Sequence, residues 1–297
     1  MLLKGRWLAI VSFCLATLGM AHAEENLKPF VLAWQGAANP QEKAAEVKQS
    51  LTNNGFEVVG QYSPDEGAEV IVVTNDALKA NAAASDMGGF GAMQRVSVTK
   101  VGDMVQVAYT NPVYMANAYR MKGDLQDVAG KLASALGNEK MFGSKDGVPA
   151  NKLRKYHYMF GMPYFDDPDE LAKYDSYEAG VQAVEDGLAA GRGGVSKVYR
   201  IDIPGKKETV FGVHMTDGCS ADAHTLDKVD FGEIKHTAHL PYELIVSGDK
   251  AYALNARFRI AIDFPDLGMV GEHSFMSIMC APDAIAHALT LAAGGRT

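Results

Sequence analysis

Cysteine and long apolar runs are both scarce in this chain. Three cysteines occur among the 297 residues, and their spacing matches no standard zinc pattern. After the first 23 residues no stretch approaches the roughly 18–20 apolar residues that span a bilayer, so the mature chain is expected to lack a membrane span. The motifs C-x-x-C-H and G-x-S-x-G are also absent, which excludes covalently attached haem and argues against a serine hydrolase elbow.

Positive charge is scarce as well. The formal net charge is −8, and no run of basic residues occurs anywhere along the chain. An acidic chain without a basic run is a poor partner for nucleic acid or for anionic lipid. Both partner classes are therefore excluded from the expected functions.

The first 23 residues have the pattern of a secretory signal peptide. Lys4 and Arg6 precede an apolar stretch at 8–20, and Ala21-His22-Ala23 is a small-x-small cleavage site. Cleavage would remove both positive residues and take the net charge from −8 to −10. It would also remove Cys14, leaving two cysteines. The expected location is the periplasm.

Two parts of the chain repeat the same order of features. Residues 46–76 and 183–218 each contain a helical stretch, a glycine turn, a strand, a second turn and a second strand. Hairpins turning at Gly102-Asp103 and Gly248-Asp249 follow them. The pattern predicts an α+β fold of two similar antiparallel sheet/helix halves, arising from an internal duplication. The predicted regions are a signal peptide (1–23), a first domain (24–150), an aromatic-rich connecting segment (151–180) and a second domain (181–297).

Individual elements follow from local signals. Pro40 at a first turn and Gly55 just past the end predict a helix over 40–53. A second helix is expected over 176–190, and the acidic run around Pro168 indicates another helix start. Residues 216–239 are expected to form a variable loop. The alternation of apolar residues predicts a strand over 257–264.

The connecting segment carries possible ligands for a cofactor. His157, Met159 and Met162 are residue types that bind haem or Cu(I). Methionines and aromatic side chains in such a junction also fill irregular spaces between packed elements. The interpretation favoured here is packing, and no cofactor is favoured.

The two remaining cysteines lie in segments rich in soft ligands. One segment contains His214, Cys219 and His224, and the other contains Met276 and Cys280. Three interpretations are open: a Cys219–Cys280 disulfide, a soft-metal site drawn from all five residues, or a reactive Cys280 thiol with a histidine as base. Two unpaired buried cysteines are a fourth. The oxidising compartment favours the disulfide, whose loop closure would contribute on the order of 3–4 kcal/mol.

Parts of the sequence resemble a bacterial family of small α+β domains of unknown function. The stretches that carry the resemblance are GFEVVGQYSP, VIVVTND and AHLPYELIVSGDKAYAL. The stretch HLPYELIVSGDKAYALNARFRIAIDFPDL, with FMSIMCAP, is similar to exported tandem members associated with sulfur-oxidising proteobacteria. The resemblance covers most of residues 27–295. Many simpler members have Leu-Pro-Cys at the hairpin entrance, where this chain has Tyr242, so thiol chemistry at that position is not implied.

The resemblance brings no established activity. Together with the export signal, it implies a periplasmic binding or accessory protein in redox or sulfur metabolism, acting on a small molecule or a periplasmic protein partner. One alternative is a thiol-dependent enzyme or carrier that uses Cys280. A further alternative is a copper- or haem-binding protein. The sequence leaves the oligomeric state open.

Overall fold

The computed structural model describes residues 26–296, and the structural statements below concern that part of the chain. The predicted signal peptide and Cys14 lie outside the described residues. Two antiparallel sheets and their helices make up the fold, so the predicted α+β class is confirmed.

The first half holds a six-stranded sheet in the order β2-β3-β4-β5-β1-β6. Helix α1 has the predicted bounds: the Asn39 side chain caps its first turn, and Val47 and Leu51 face the core. The elements of this half are β1 (Phe30–Gly36), α1 (Pro40–Asn53), β2 (Glu57–Tyr62), β3 (Ala68–Thr74), α2 (Asp76–Ala84), β4 (Gln94–Val101), β5 (Met104–Thr110), α3 (Pro112–Ala118), α4 (Gln126–Leu136) and β6 (Lys140–Phe142).

The second half holds a five-stranded sheet in the order β8-β9-β10-β11-β7. A short helix, α5 (Ala150–Leu153), precedes it and packs on α3 of the first half. The elements of the second half are β7 (Asp169–Lys173), α6 (Tyr177–Ala189), β8 (Val195–Asp202), β9 (Glu208–Met215), α7 (Asp222–Val229), β10 (Tyr242–Ser247), β11 (Lys250–Ala253), α8 (Ala256–Asp263) and α9 (Ala281–Ala292). Apart from β6, the two sheets share one strand order. Such an order is what an internal duplication predicts, and the duplication itself stays a prediction.

Local turn and cap signals placed several elements correctly. Strand β4 pairs with β5, and β10 pairs with β11, as the two Gly-Asp turns predict. Helix α6 begins after Ser176, whose side chain accepts a hydrogen bond from the Ala179 N–H.

Three local expectations differ from the structure. The predicted strand at 257–264 is wrong, because this stretch forms helix α8. Its polar residues Arg259 and Asp263 are also buried. The helix therefore lacks the exposed polar face whose regular spacing in the sequence would have indicated a helix. The acidic run near Pro168 leads into strand β7, which lies in the predicted connecting segment and pairs with β11. The expected loop at 216–239 contains helix α7.

The two halves pack against each other through edge strands β2 and β8. The backbones approach so closely at Gly60 that a Cβ atom there would lie 2.8 Å from the carbonyl oxygen of Val198. Side chains from both halves also share one hydrophobic core, in which Ile245 and Phe258 accompany residues of the first sheet. The aromatic segment between the halves contributes Phe165 to this core, as predicted for a junction that packs.

One helical window in the described part of the chain passes the length and apolarity test for a membrane span. It is Phe275–Ala292, and 39% of it is buried. Within it, α9 places Ile285 and Leu289 in the core of the second half. A core helix shows the same composition as this window.

Candidate functional site

A buried ionic network crosses the boundary between the two halves. Arg95 of β4 donates from Nε to Oε1 of Glu243 on β10, at 2.9 Å. The Nε atom of Arg259 on α8 lies 3.8 Å from the other carboxylate oxygen of Glu243. Arg259 also pairs with Asp263 one turn later in its own helix. Two arginines and two carboxylates therefore balance one another where water is excluded.

His239 extends this network. Its Nδ1 lies 2.6 Å from Oδ2 of Asp263, and its Nε2 lies 3.0 Å from the Tyr242 hydroxyl. Burial, followed by the nearby Arg259 and Arg95, holds the pKa of His239 well below its ordinary value. A neutral imidazole then donates to Asp263 and accepts from Tyr242. The arrangement resembles an acid–base relay, but His239 and Asp263 are both 0% exposed, so neither group can be reached from the surface.

A second buried contact joins the halves beside this network. The hydroxyl of Tyr62 on β2 donates to Oδ2 of Asp222, the first residue of α7, at 3.0 Å. Burial raises the pKa of Asp222 to about 8. This carboxyl group is therefore largely protonated at neutral pH.

The candidate cysteines are joined. Cys219 lies in a short turn after β9, and Cys280 directly precedes α9. The two form a disulfide with their Cα atoms 5.9 Å apart, inside the range that the bond requires. The bridge ties the segment between β9 and α7 to the last helix, as predicted.

His224 of α7 lies against the bridge. Its Nε2 is 3.6 Å from Sγ of Cys280. The two sulfurs and an imidazole nitrogen lie within 4.8 Å of one another, the one such group found among residues 26–296. A closed disulfide offers no thiolate, so these three residues could hold a soft metal ion only after reduction.

The other two candidate metal ligands, His214 and Met276, are not part of the Cys219–His224–Cys280 cluster. His214 is on β9, its ring centroid is 5.1 Å from that of Tyr62, and burial lowers its pKa. Met276 is half-exposed in the short helical turn before Cys280. The structure thus brings Cys219, His224 and Cys280 together and places His214 in the packing between halves.

The residues predicted as possible haem or copper ligands face different surroundings. The Nδ1 of His157 lies 2.8 Å from the carbonyl oxygen of Met159, and its ring packs on Tyr164 at 4.4 Å. Met162 lines a different depression, beside Phe264 and helix α8. His157 thus packs within its own loop, Met162 lies beside α8, and Met159 is 41% exposed, so the three do not converge on one site.

A cleft of about 530 Å³ lies between the halves on another face. Its first wall comes from the first half, with Lys28, Lys140 and Lys145. The second wall comes from loops of the second half, and His236 and His273 face into it. The apolar lining is Met141, Phe142, Val229, Phe231, Phe264 and Leu267.

Aromatic contacts fix both histidines of this cleft. The His236 ring packs edge-on against Phe142 at 5.3 Å, and its Nδ1 lies 2.8 Å from Oδ1 of Asp230. The His273 ring stacks on Phe231 at 4.3 Å, and its Nδ1 lies 3.0 Å from the carbonyl oxygen of Lys228. In each ring one nitrogen is held by a partner, which leaves the other nitrogen for a ligand.

Lysines carry the charge of the cleft, apart from a single carboxylate, that of Asp266, on its rim. Asp266 accepts hydrogen bonds from the hydroxyl of Ser144 and from the backbone N–H of Lys145. This carboxylate therefore fixes the loop that carries the lysines. Lys28 contributes to the same loop by donating to the Lys145 carbonyl oxygen at 3.0 Å. Lys140 and Lys145 are both exposed to solvent.

Sequence reasoning found the disulfide and missed the cleft and the ionic network. Lys28 lies more than a hundred positions before Lys140 and Lys145 in the chain, and no spacing rule connects it to them. The stretch KHTAHL, which contains His236 of the cleft and His239 of the network, was the one sequence feature that could have indicated either site. No family model, curated protein or solved structure matches the chain.

Proposed function

We propose that the protein is an exported binding protein that holds a small organic anion in the lysine–histidine cleft between its halves. The observation that carries the proposal is a positive, aromatic-floored cleft in a chain of formal net charge −8. Small-molecule sites favour boundaries between domains, where an apolar lining meets a few convergent polar groups.

The chemistry of the lining defines the ligand class. Ammonium groups favour a carboxylate, sulfonate or phosphate through charge-assisted hydrogen bonds. The exposed Phe231 ring, 63% accessible, offers a flat apolar face beside the charged wall. An aromatic carboxylate or sulfonate would satisfy both walls together.

Location in the periplasm and a role in sulfur or redox metabolism belong to the same proposal. The signal-peptide pattern and the disulfide support an oxidising, exported setting. The resemblance to exported tandem α+β proteins supports the metabolic setting. An organic anion from sulfur metabolism would suit the charge of the cleft.

A fluorescent aromatic sulfonate, anilinonaphthalene sulfonate, tests the cleft directly. We expect the Lys140→Glu/Lys145→Glu double variant to bind this probe at least about tenfold more weakly, a loss of about 1.4 kcal/mol. The matched control is Lys100→Glu/Lys131→Glu, which makes the same charge change at exposed positions outside the cleft. Circular dichroism of each variant establishes that it is folded.

Two results would contradict the proposal. Equal loss of binding in both double variants would show that net charge alone governs the probe. Unchanged binding in the Lys140→Glu/Lys145→Glu variant would place the probe elsewhere on the protein.

A further inference from the structure

The two cysteines of the disulfide differ in their exposure to solvent. Cys280 is exposed, whereas Cys219 is only partly accessible in its turn after β9. An attacking thiolate must approach one sulfur in line with the bond that breaks, so access decides which sulfur reacts. The greater exposure of Cys280 makes it the better target for a partner.

The surroundings of Cys280 also stabilise its thiolate form. His224 Nε2 lies 3.6 Å from the sulfur, close enough to accept the thiol proton and to pair with the resulting thiolate. Cys280 stands immediately before α9, a helix of 12 residues whose N-terminal dipole favours negative charge. In the first turn of α9, Pro282 has no N–H to donate, and the N–H of Ala284 donates to the carbonyl oxygen of Cys280.

We propose that Cys219–Cys280 is a redox-active disulfide that exchanges with a dithiol of a partner protein, with Cys280 as the exchanging sulfur and His224 as its proton acceptor. The inference is independent of the anion cleft. It assigns Cys219, the less exposed of the two cysteines, the role of resolving cysteine.

The exchange balances in two steps. A partner thiolate attacks Sγ of Cys280, the bond to Cys219 breaks, and Cys219 leaves as a thiolate. The second thiolate of the partner then attacks its own sulfur in the mixed disulfide, and Cys280 leaves. The partner ends as a disulfide, two electrons reside on the cysteine pair, and the two protons of the original dithiol go to that pair, the proton of Cys280 through His224. The reverse sequence would reduce the partner's disulfide back to a dithiol and re-form the Cys219–Cys280 bond.

Two effects oppose each other at this bridge. Closing a loop between residues 61 positions apart favours the oxidised form through chain entropy. Thiolate stabilisation by His224 and by α9 favours the reduced form. A bridge under both influences is open to exchange in either direction, which a buried disulfide without such partners is not.

A pair of single variants of the full mature chain tests the asymmetry of the two sulfurs. Cys219→Ser leaves Cys280 as the one thiol, and Cys280→Ser leaves Cys219, so both lack the same bridge. We expect the Cys280 thiol to react with an aromatic disulfide reagent at least about tenfold faster at neutral pH, because access and thiolate character both favour it.

The role of His224 is tested in the Cys219→Ser background. We expect the reaction rate to rise with pH through an apparent pKa below the ordinary thiol value of about 8.5. His224→Gln should move that midpoint upward and slow the reaction several-fold at neutral pH. The matched control is His287→Gln, an exposed histidine on α9 seven residues beyond Cys280, which should leave the profile unchanged.

The relative reactivity of the two cysteines can also be measured in the wild-type protein, without any substitution. After partial reduction with dithiothreitol, alkylation and mass spectrometry should find Cys280 modified before Cys219. Equal reactivity of the two thiols would overturn the proposal, as would a pH profile that His224→Gln does not move. A reduced protein that retains zinc and shields both sulfurs from alkylation would also overturn it, since the group would then be a metal site.

Discussion

Glu243 and Arg95 come from opposite halves of the chain, and a hydrogen bond of 2.9 Å from Arg95 Nε to Glu243 Oε1 joins them in the interior. Their side chains are each 2% exposed. Neither charge has water to stabilise it, so each depends on the other and on Arg259 nearby. The two sheets consequently form one body.

Removing one partner of this pair should be strongly destabilising. We expect Glu243→Gln to lower the free energy of unfolding by about 3–5 kcal/mol, because Arg95 would keep a buried charge without a counterion. Chemical denaturation measures the change. Glu46→Gln, which breaks the exposed Lys43–Glu46 pair, is the control and should change stability by less than about 1 kcal/mol. A small effect at Glu243 would mean that water reaches the network.

Asp222 should make stability depend on pH. Burial raises its pKa to about 8 in the folded chain, whereas an unfolded aspartate has an ordinary pKa of about 4. Between those values the folded chain keeps a proton that the unfolded chain has lost. The contribution to stability is therefore full below the ordinary pKa and falls as pH rises towards 8, by at most about 1.4 kcal/mol per pH unit.

The Asp222→Asn variant isolates that contribution. Asparagine keeps an acceptor for the Tyr62 hydroxyl but does not titrate. In the wild type, titration of Asp222 lowers the unfolding free energy as the pH rises from about 5 to about 8. We expect this part of the decline to be absent in Asp222→Asn. Parallel pH profiles for both proteins would show that Asp222 is charged in the folded chain.

Loss of the disulfide should lower the melting temperature without preventing folding. Cys219→Ser and Cys280→Ser each remove the same loop closure, so both should lose on the order of 3–4 kcal/mol. Differential scanning calorimetry of the two variants and of the wild type provides the comparison. A wild type that melts at the same temperature as both variants would show that the bridge adds no stability.

Two helix glycines should respond oppositely to alanine. A Cβ atom at Gly187 in α6 would lie 1.9 Å from the carbonyl oxygen of Ala292, where α6 crosses the end of α9. Gly187→Ala should therefore cost about 1–3 kcal/mol by forcing the helices apart. Gly130 in α4 has nothing within 4 Å of that position, so Gly130→Ala should add about 0.5–1 kcal/mol. Thermal unfolding of both variants tests the contrast.

Export makes a prediction about the N-terminus of native protein. The cleavage pattern predicts that the mature chain begins at Glu24 and is recovered in the periplasmic fraction. Mass spectrometry of protein purified from its own cells measures the first residue. A native chain that retains Met1 would contradict the signal-peptide interpretation.

Short-range chemistry by itself determined much of the architecture. Helix α1 could be predicted residue for residue, because a proline in its first turn and a glycine past its end mark its limits locally. The Gly-Asp turns located both hairpins, since a tight turn needs glycine at a positive φ, as at Gly102 and Gly248. The cysteine pairing could be favoured because two cysteines remain once the predicted signal peptide is removed.

Only the tertiary structure decided the rest. Helix α8 was predicted as a strand because Arg259 and Asp263 are buried in ion pairs, and polar residues on an inward face remove the periodic signal of a helix. The cleft and the network join side chains that are far apart along the chain, and no local rule brings Lys28 near Phe231 or Arg95 near Glu243. Hydrogen-bond caps and turns act over a few residues, whereas burial and ion pairing depend on which surfaces meet after the halves have packed.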